Sequence, residues 1–271
     1  MENQIVKLTG KNPGPTLAIL GGVHGNEKAG VLTIEWAREN LQINSGTVYL
    51  VVANAEAVAS SVRQINKNMN RCFLAGNAGT AYEDGRAREL MQLLDGCDAL
   101  LDLHASSSDK STPFIICEPP SFAIAKLFGV PLISTGWDAI EPGATDGYMF
   151  RQNKVGICVE CYGKAELETG VALAKECILR FLAYFGVIDY DYQPPSQEPR
   201  LFCAQAAIKK QTDDFSFART FVDFETLVPG ELIATDGGQK YFAQPGDVLL
   251  FPDAKCKIGD EVFVLGRYEG F

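Results

Sequence analysis

The chain has 271 residues, 46% of them hydrophobic, and a formal net charge of −10. That length and apolar content suffice for one large core and a smaller second one, while the acidic balance argues against nucleic acid or an anionic membrane surface as partner, since both reward a basic face. No apolar run approaches membrane-spanning length, and the N-terminus MENQIVKLTG has no basic stretch followed by an apolar one, so a cytoplasmic protein is expected.

In chain order, short β-type runs fall at TLAIL (16–20), TVYLVVA (47–53), DALLDLH (98–104), TPFIIC (112–117), VPLIS (130–134) and VGICVE (155–160). Helical periodicity occupies EKAGVLTIEWAREN (27–40), GRARELMQLL (85–94) and ELETGVALAKECILRFLAYF (166–185). The alternation predicts an α/β domain over residues 1–192, with a mixed, largely parallel sheet flanked by helices. DYDYQPPSQEP (189–199) reads as a linker. Beyond it, LVPGELIA, TDGGQK, QPGDVLLFP and KIGDEVFVLG predict a small C-terminal all-β domain over 193–271. Its turns are faintly similar to those of lysine-modified carrier domains, with Lys240 the one conceivable site, but any compact barrel uses such turns. The eight cysteines are scattered, as expected of buried reduced thiols. Cys158 and Cys161 stand three apart in a strand and so face opposite ways, which argues against chelation by that pair.

Only two histidines occur, and both fall at predicted strand ends. His24, in GGVHGNE, follows the first strand, and Glu27 starts the next helix. In open α/β sheets the carboxyl edge of the strands carries the ligand crevice. The glycines at 21, 22 and 25 would let the backbone bend and leave room above the site. On this segment alone, a helix-capping turn with a solvent-facing histidine and a dipole-favoured glutamate fits equally well. His104 tips the balance. With it, His24 and Glu27 form a two-nitrogen, one-oxygen set for one zinc ion per chain, with a fourth position open. Asp102, two residues back on the same strand face, could hold the tautomer of either His104 or His24.

Hydrolysis at such a site still needs a proton shuttle, and Glu160 at the end of VGICVE is the candidate. Its alternatives are an ion pair with a structural arginine such as Arg86, or a place among the metal ligands. VRQINKNMNRCF (62–73) supplies Arg63 and Arg71, forks suited to a carboxylate or an oxyanion, and the amide of Asn70.

Taken in order, GGVHGNE (21–27), NMNRCF (68–73), LLDLHAS (100–106) and VECYG (159–163) make the chain resemble the succinylglutamate desuccinylase/aspartoacylase family of zinc-carboxypeptidase-like enzymes. The resemblance implies zinc ligation by His24, Glu27 and His104 and a general base at Glu160. It further implies carboxylate binding by Asn70 and Arg71, with Arg63 polarising the scissile carbonyl. Arg151 and Tyr148 precede Glu160 at roughly the separation of a substrate-clamping pair in aspartoacylases. Where the family motif reads DLNR, this chain has NMNR, so Asn68 replaces an acid. The expected activity is zinc-dependent hydrolysis of a small N-acyl amino acid, its specificity set by STGWDAIEPGATDGYMFRQN (134–153). A carboxypeptidase acting on short peptides and a binding protein that kept the fold are the alternatives. Homo-oligomerisation stays open.

Overall fold

The computed structural model describes residues 4–106 and 110–271. The chain divides into two compact units, one of residues 1–133 and 142–199, the other of 134–141 and 200–271.

The first unit runs β1 (Ile5–Thr9), β2 (Asn12–Gly21), α1 (Lys28–Asn40), β3 (Ser45–Val52), α2 (Ala55–Ser60), α3 (Tyr82–Asp95), β4 (Ala99–His104), β5 (Phe114–Cys117) and α4 (Phe122–Leu127). The strand β6 (Leu132–Thr135) and the short helix α5 (Trp137–Ile140) carry the chain into and through the second unit's 134–141 segment. The first unit then resumes with α6 (Thr145–Phe150), β7 (Val155–Glu160) and α7 (Leu167–Tyr184). Its sheet has the order β1-β3-β2-β4-β7-β5. The pairs β3–β2, β2–β4 and β4–β7 are parallel, while β1 and β5 run antiparallel to their neighbours. The sheet is therefore mixed with a parallel centre. All six residues of β4 are buried, the condition that makes a central parallel strand read as nearly unbroken apolar sequence. The exceptions in that run, Asp102 and His104, point to one face by strand alternation.

Differences from the sequence expectation concern local order, among them the short helices α2 and α4, which periodicity did not reveal. β1 was not foreseen, since five residues with alternating exposure make a weak edge-strand signal. The segment 134–153, expected to set specificity, holds α5 and α6, and its first eight residues belong to the second unit.

Close approach explains one glycine pair. Gly21, at the end of β2, lies against Gly30 of α1, and a Cβ on Gly30 would run into the carbonyl oxygen of Leu103. Helix propensity favours alanine over glycine by about 1 kcal/mol, but the obstacle here is backbone, and overpacking costs about 1–3 kcal/mol. Gly30→Ala is expected to lower the urea midpoint, because relieving the clash displaces the end of β4.

The second unit contains β8 (Arg200–Lys209), β9 (Ser216–Phe217), β10 (Glu225–Thr226), β11 (Leu232–Asp236), β12 (Gln239–Phe242), β13 (Val248–Leu250) and β14 (Glu261–Glu269). Strands β8, β14, β13 and β10 pair antiparallel in that order, and β12, β11 and β9 form a second antiparallel set. Phe215, Ile233, Leu249, Val262 and Phe263 fill its core. Lys240 is exposed on β12, opposite Thr235. Among the described residues, no helix is long and apolar enough to cross a membrane. Six of the eight cysteines are buried and all eight are free thiols.

Candidate metal centre and its surroundings

His24 and Glu27 lie in the turn between β2 and α1. Gly25 donates its N–H to the carbonyl of Arg63 at 3.1 Å, and a Cβ there would strike the backbone of Ala57 and Val58. The glycine thus admits a tight backbone contact rather than leaving space above the site. Glu27 occupies the N-cap position of α1, yet its side chain makes no capping bond. With His24 only 5% exposed, the capping-turn reading of this segment is set aside.

The Glu27 carboxylate turns instead to the two imidazoles. Its Oε1 lies 2.8 Å from His24 Nδ1 and its Oε2 lies 3.0 Å from His104 Nδ1. Arg63 Nη1 donates to Oε1 at 2.9 Å and the Ala105 N–H to Oε2 at 3.1 Å. The far nitrogen of each ring is also engaged: His24 Nε2 with Asn68 Oδ1 at 2.9 Å and His104 Nε2 with Asp102 Oδ2 at 3.0 Å. Asp102 is fully buried and accepts a second bond from Thr145 Oγ1 at 2.6 Å. Of the two roles open to Asp102 from sequence, the geometry gives the partner of His104.

Parallel registry brings β7 into the group, with Cys158 beside Asp102 and Glu160 beside His104. The Cys158 thiol lies within 4.8 Å of a ring nitrogen of His104. Sequence reasoning passed over Cys158 in this setting, although strand alternation puts it on Glu160's face. Two donor groups result, each with ligand atoms within 4.8 Å of one another: His24, Glu27 and His104, and His104, Cys158 and Glu160. Arg86 is not Glu160's partner. It donates to the carbonyls of Ala53 and Val52 and pairs with Glu89.

Burial, and next the charge of Glu27, push the Glu160 carboxyl up to about 7. Burial opposes ionisation of Glu27, but His24 and the hydrogen bond from His104 outweigh it and hold that carboxyl well below its ordinary range. For His24, burial wins and lowers its value. For His104, burial is overcome by Asp102, and its value is raised well above the ordinary one.

The loop after α2 is fixed by buried acids. Glu83 accepts from the backbone N–H groups of Ile65, Asn66 and Lys67 at 2.6, 3.2 and 3.4 Å. Lys67 Nζ reaches Asp84 at 3.0 Å. A short 3-10 turn, Met69–Arg71, follows and is capped by the side chain of Asn68. Arg71 Nη1 donates to the carbonyl of Asn70 at 2.9 Å, and the backbone of Gly143 packs on that of Arg71. Asn70 keeps a buried side-chain oxygen with no protein partner, a hydrogen-bonding capacity that a small ligand can fill.

Of the two remaining expected site residues, Tyr148 is placed elsewhere and Arg151 is held against the loop that carries Asn70 and Arg71. Tyr148 donates its hydroxyl to Asp95 at 2.6 Å. Asp95 precedes the N-terminal end of β4, whereas the histidines and carboxylates gather at the opposite end. Arg151 donates to the carbonyl of Phe73 at 2.6 Å.

The donor chemistry fits a divalent cation. Both nitrogens of both rings face oxygen acceptors, which from the protein's own atoms alone would require protons on buried imidazoles beside one carboxylate. A cation among the two Nδ1 atoms and Glu27 satisfies the same atoms without those protons, and two imidazoles with a carboxylate are a catalytic zinc set.

An α/β domain with such a donor set at the carboxyl edge of its parallel strands narrows the class of protein, and sequence profiles agree. The succinylglutamate desuccinylase/aspartoacylase catalytic domain matches residues 13–181, and the AstE/AspA barrel-sandwich hybrid domain matches residues 197–265. The chain belongs to the succinylglutamate desuccinylase/aspartoacylase family. It is 28% identical to the N-acyl-aromatic-L-amino acid amidohydrolase (carboxylate-forming) of Mus musculus, over 87% of this chain and 84% of that one. The Xenopus tropicalis protein of the same name is 31% identical over a shorter stretch, 40% of this chain and 39% of that protein. Among solved structures, succinylglutamate desuccinylase from Vibrio cholerae superimposes with a TM-score of 0.82 at 18% identity, covering 98% of this chain and 85% of that one.

Proposed function

We propose that the protein is a zinc-dependent amidohydrolase that removes the acyl group from an N-acyl amino acid. The observation that carries this reading is the convergence of His24, Glu27 and His104 on one point, beside the carboxylate of Glu160. His24 and His104 through Nδ1, with Glu27, would hold the ion, one per chain. When bound there, zinc polarises a carbonyl and acidifies water.

The chain's own residues supply the rest. Glu160 takes the proton of the attacking water and returns it to the leaving amine, a role suited to a carboxyl raised towards neutral pH. Arg63, bonded to Glu27, stands where it can meet the developing oxyanion. Asn70 and Arg71, held rigid by the Asn68-capped turn, bind the substrate carboxylate. The alternative is a non-catalytic binding protein that kept the fold; residues of each expected catalytic type are present, which favours turnover, while Asn68 in place of an acid favours the alternative. In the cell, the cytoplasm suits its free thiols.

The test is a panel of N-acetyl, N-succinyl and N-benzoyl amino acids and dipeptides offered to zinc-loaded protein. Release of free amino acid from the N-acyl compounds is expected, and turnover of dipeptides alone would overturn the proposal in favour of a carboxypeptidase. Chelation with recovery by added zinc separates a metal-dependent reaction from a contaminant.

A further inference from the structure

The two imidazoles of the centre are not held alike. His104 Nε2 faces Asp102, a buried carboxylate that Thr145 also supports. His24 Nε2 faces Asn68, a neutral amide. The orientation of that amide is settled by its second contact. Asn68 Oδ1 lies 3.0 Å from the backbone N–H of Asn70, a group that can only donate. The atom facing both is therefore the oxygen, and His24 Nε2 must carry the proton that it accepts. His24 Nδ1 is left to turn its lone pair towards Glu27 and the ion position.

Asn68 does more than hold a ring. Its carbonyl accepts from the Arg71 N–H at 3.1 Å, and its side chain caps the turn carrying Asn70 and Arg71. One residue, 44 positions from His24 in sequence, joins a metal ligand to the proposed carboxylate anchor.

We propose that Asn68 is the positioning residue for His24 and that its neutrality makes His24 the weaker of the two imidazole ligands. A hydrogen bond to a carboxylate raises the basicity of an imidazole and its strength as a ligand, whereas a bond to an amide does so less. The ion is therefore bound through one well-backed ring and one lightly backed ring, less tightly than two carboxylate-backed rings would hold it. This rests on the metal centre of the proposed function.

The test is zinc affinity of the metal-free protein, read by competition with a chelator of known strength, for the natural chain, Asn68→Asp and Asn68→Leu. Asn68→Asp keeps size, cap and acceptor and adds only charge, so it should tighten binding by about tenfold, while Asn68→Leu should weaken it by roughly 10–100-fold. A merely structural role predicts no tightening for Asn68→Asp. If the natural chain binds one zinc and Asn68→Asp binds it within twofold of the same affinity, the inference is overturned and the proposed function stands. If the natural chain binds no zinc at all, both fall. Should Asn68→Leu fail to fold, Asn68→Asp decides alone.

Discussion

Glu160→Gln is expected to lower kcat on an N-acyl amino acid by about 10²–10⁴-fold, the usual contribution of a positioned proton-transfer group, with zinc content unchanged. Glutamine keeps the shape of the side chain at the end of β7 and removes its ability to carry a proton. The position is set by strand register, Glu160 standing beside His104 and Phe114 of the neighbouring strands, so the substitution leaves the sheet intact. Burial and the adjacent Glu27 raise the Glu160 carboxyl to about 7, and a bound cation would draw it down. The acid limb of the kcat/KM profile for the natural protein should therefore fall at or below that value, with activity rising as Glu160 loses its proton. In Glu160→Gln that limb should vanish along with most of the rate. Zinc content decides between the roles open to this residue. Loss of the ion on substitution would make Glu160 a ligand, through the group it forms with His104 and Cys158, and would remove it as the base.

The parts of this centre that sequence made legible share a physical cause. His24, His104 and Glu160 stand at the ends of apolar runs, and strand ends can be read from composition because central parallel strands must be apolar on both faces. Asp102 follows from alternation within one strand. What stayed hidden depends on long-range placement. Nothing local marks Asn68 as the partner of His24 or Thr145 as the support of Asp102, since the residues meet only after the loop 62–73 and helix α6 fold over the sheet edge. Glu83 and Asp84 fall just before the helix predicted from residue 85 and turn out to lie in the first turn of α3. Their burial against the backbone of 65–67 and against Lys67 is what gives that loop a fixed shape. Tyr148 shows the opposite failure: a spacing that matched a family pattern, on a helix whose direction carries the hydroxyl to Asp95. The break in the fold at 134–141 was equally unreadable, because a chain order gives no hint that eight residues pack with a later unit.

Glu27→Ala should abolish zinc binding and also destabilise the metal-free protein. Its carboxylate is the one group that touches His24, His104, Arg63 and the Ala105 N–H at once. If Glu27 is a ligand as proposed, the loss of affinity should exceed the roughly 10–100-fold seen when only an outer partner of a ligand is changed. It also leaves the two buried imidazole nitrogens and the Ala105 N–H without their acceptor, while Arg63, half-exposed, and His104, still paired with Asp102, keep other means of balancing their charge. Glu27→Gln should cost less stability, since an amide still accepts from Arg63, and should lose zinc nearly as completely. The pH dependence follows from the direction of the shift. The folded protein holds Glu27 well below its ordinary value of 4.5, so the stabilisation is present above that pH and is lost as pH falls through the lower folded value. Urea denaturation of the metal-free natural protein should therefore show stability falling on acidification below about pH 5, and the fall should be shallower in Glu27→Gln. Equal slopes in the two proteins would mean that the acid response comes from other carboxylates and that Glu27 is not the electrostatic centre of the site.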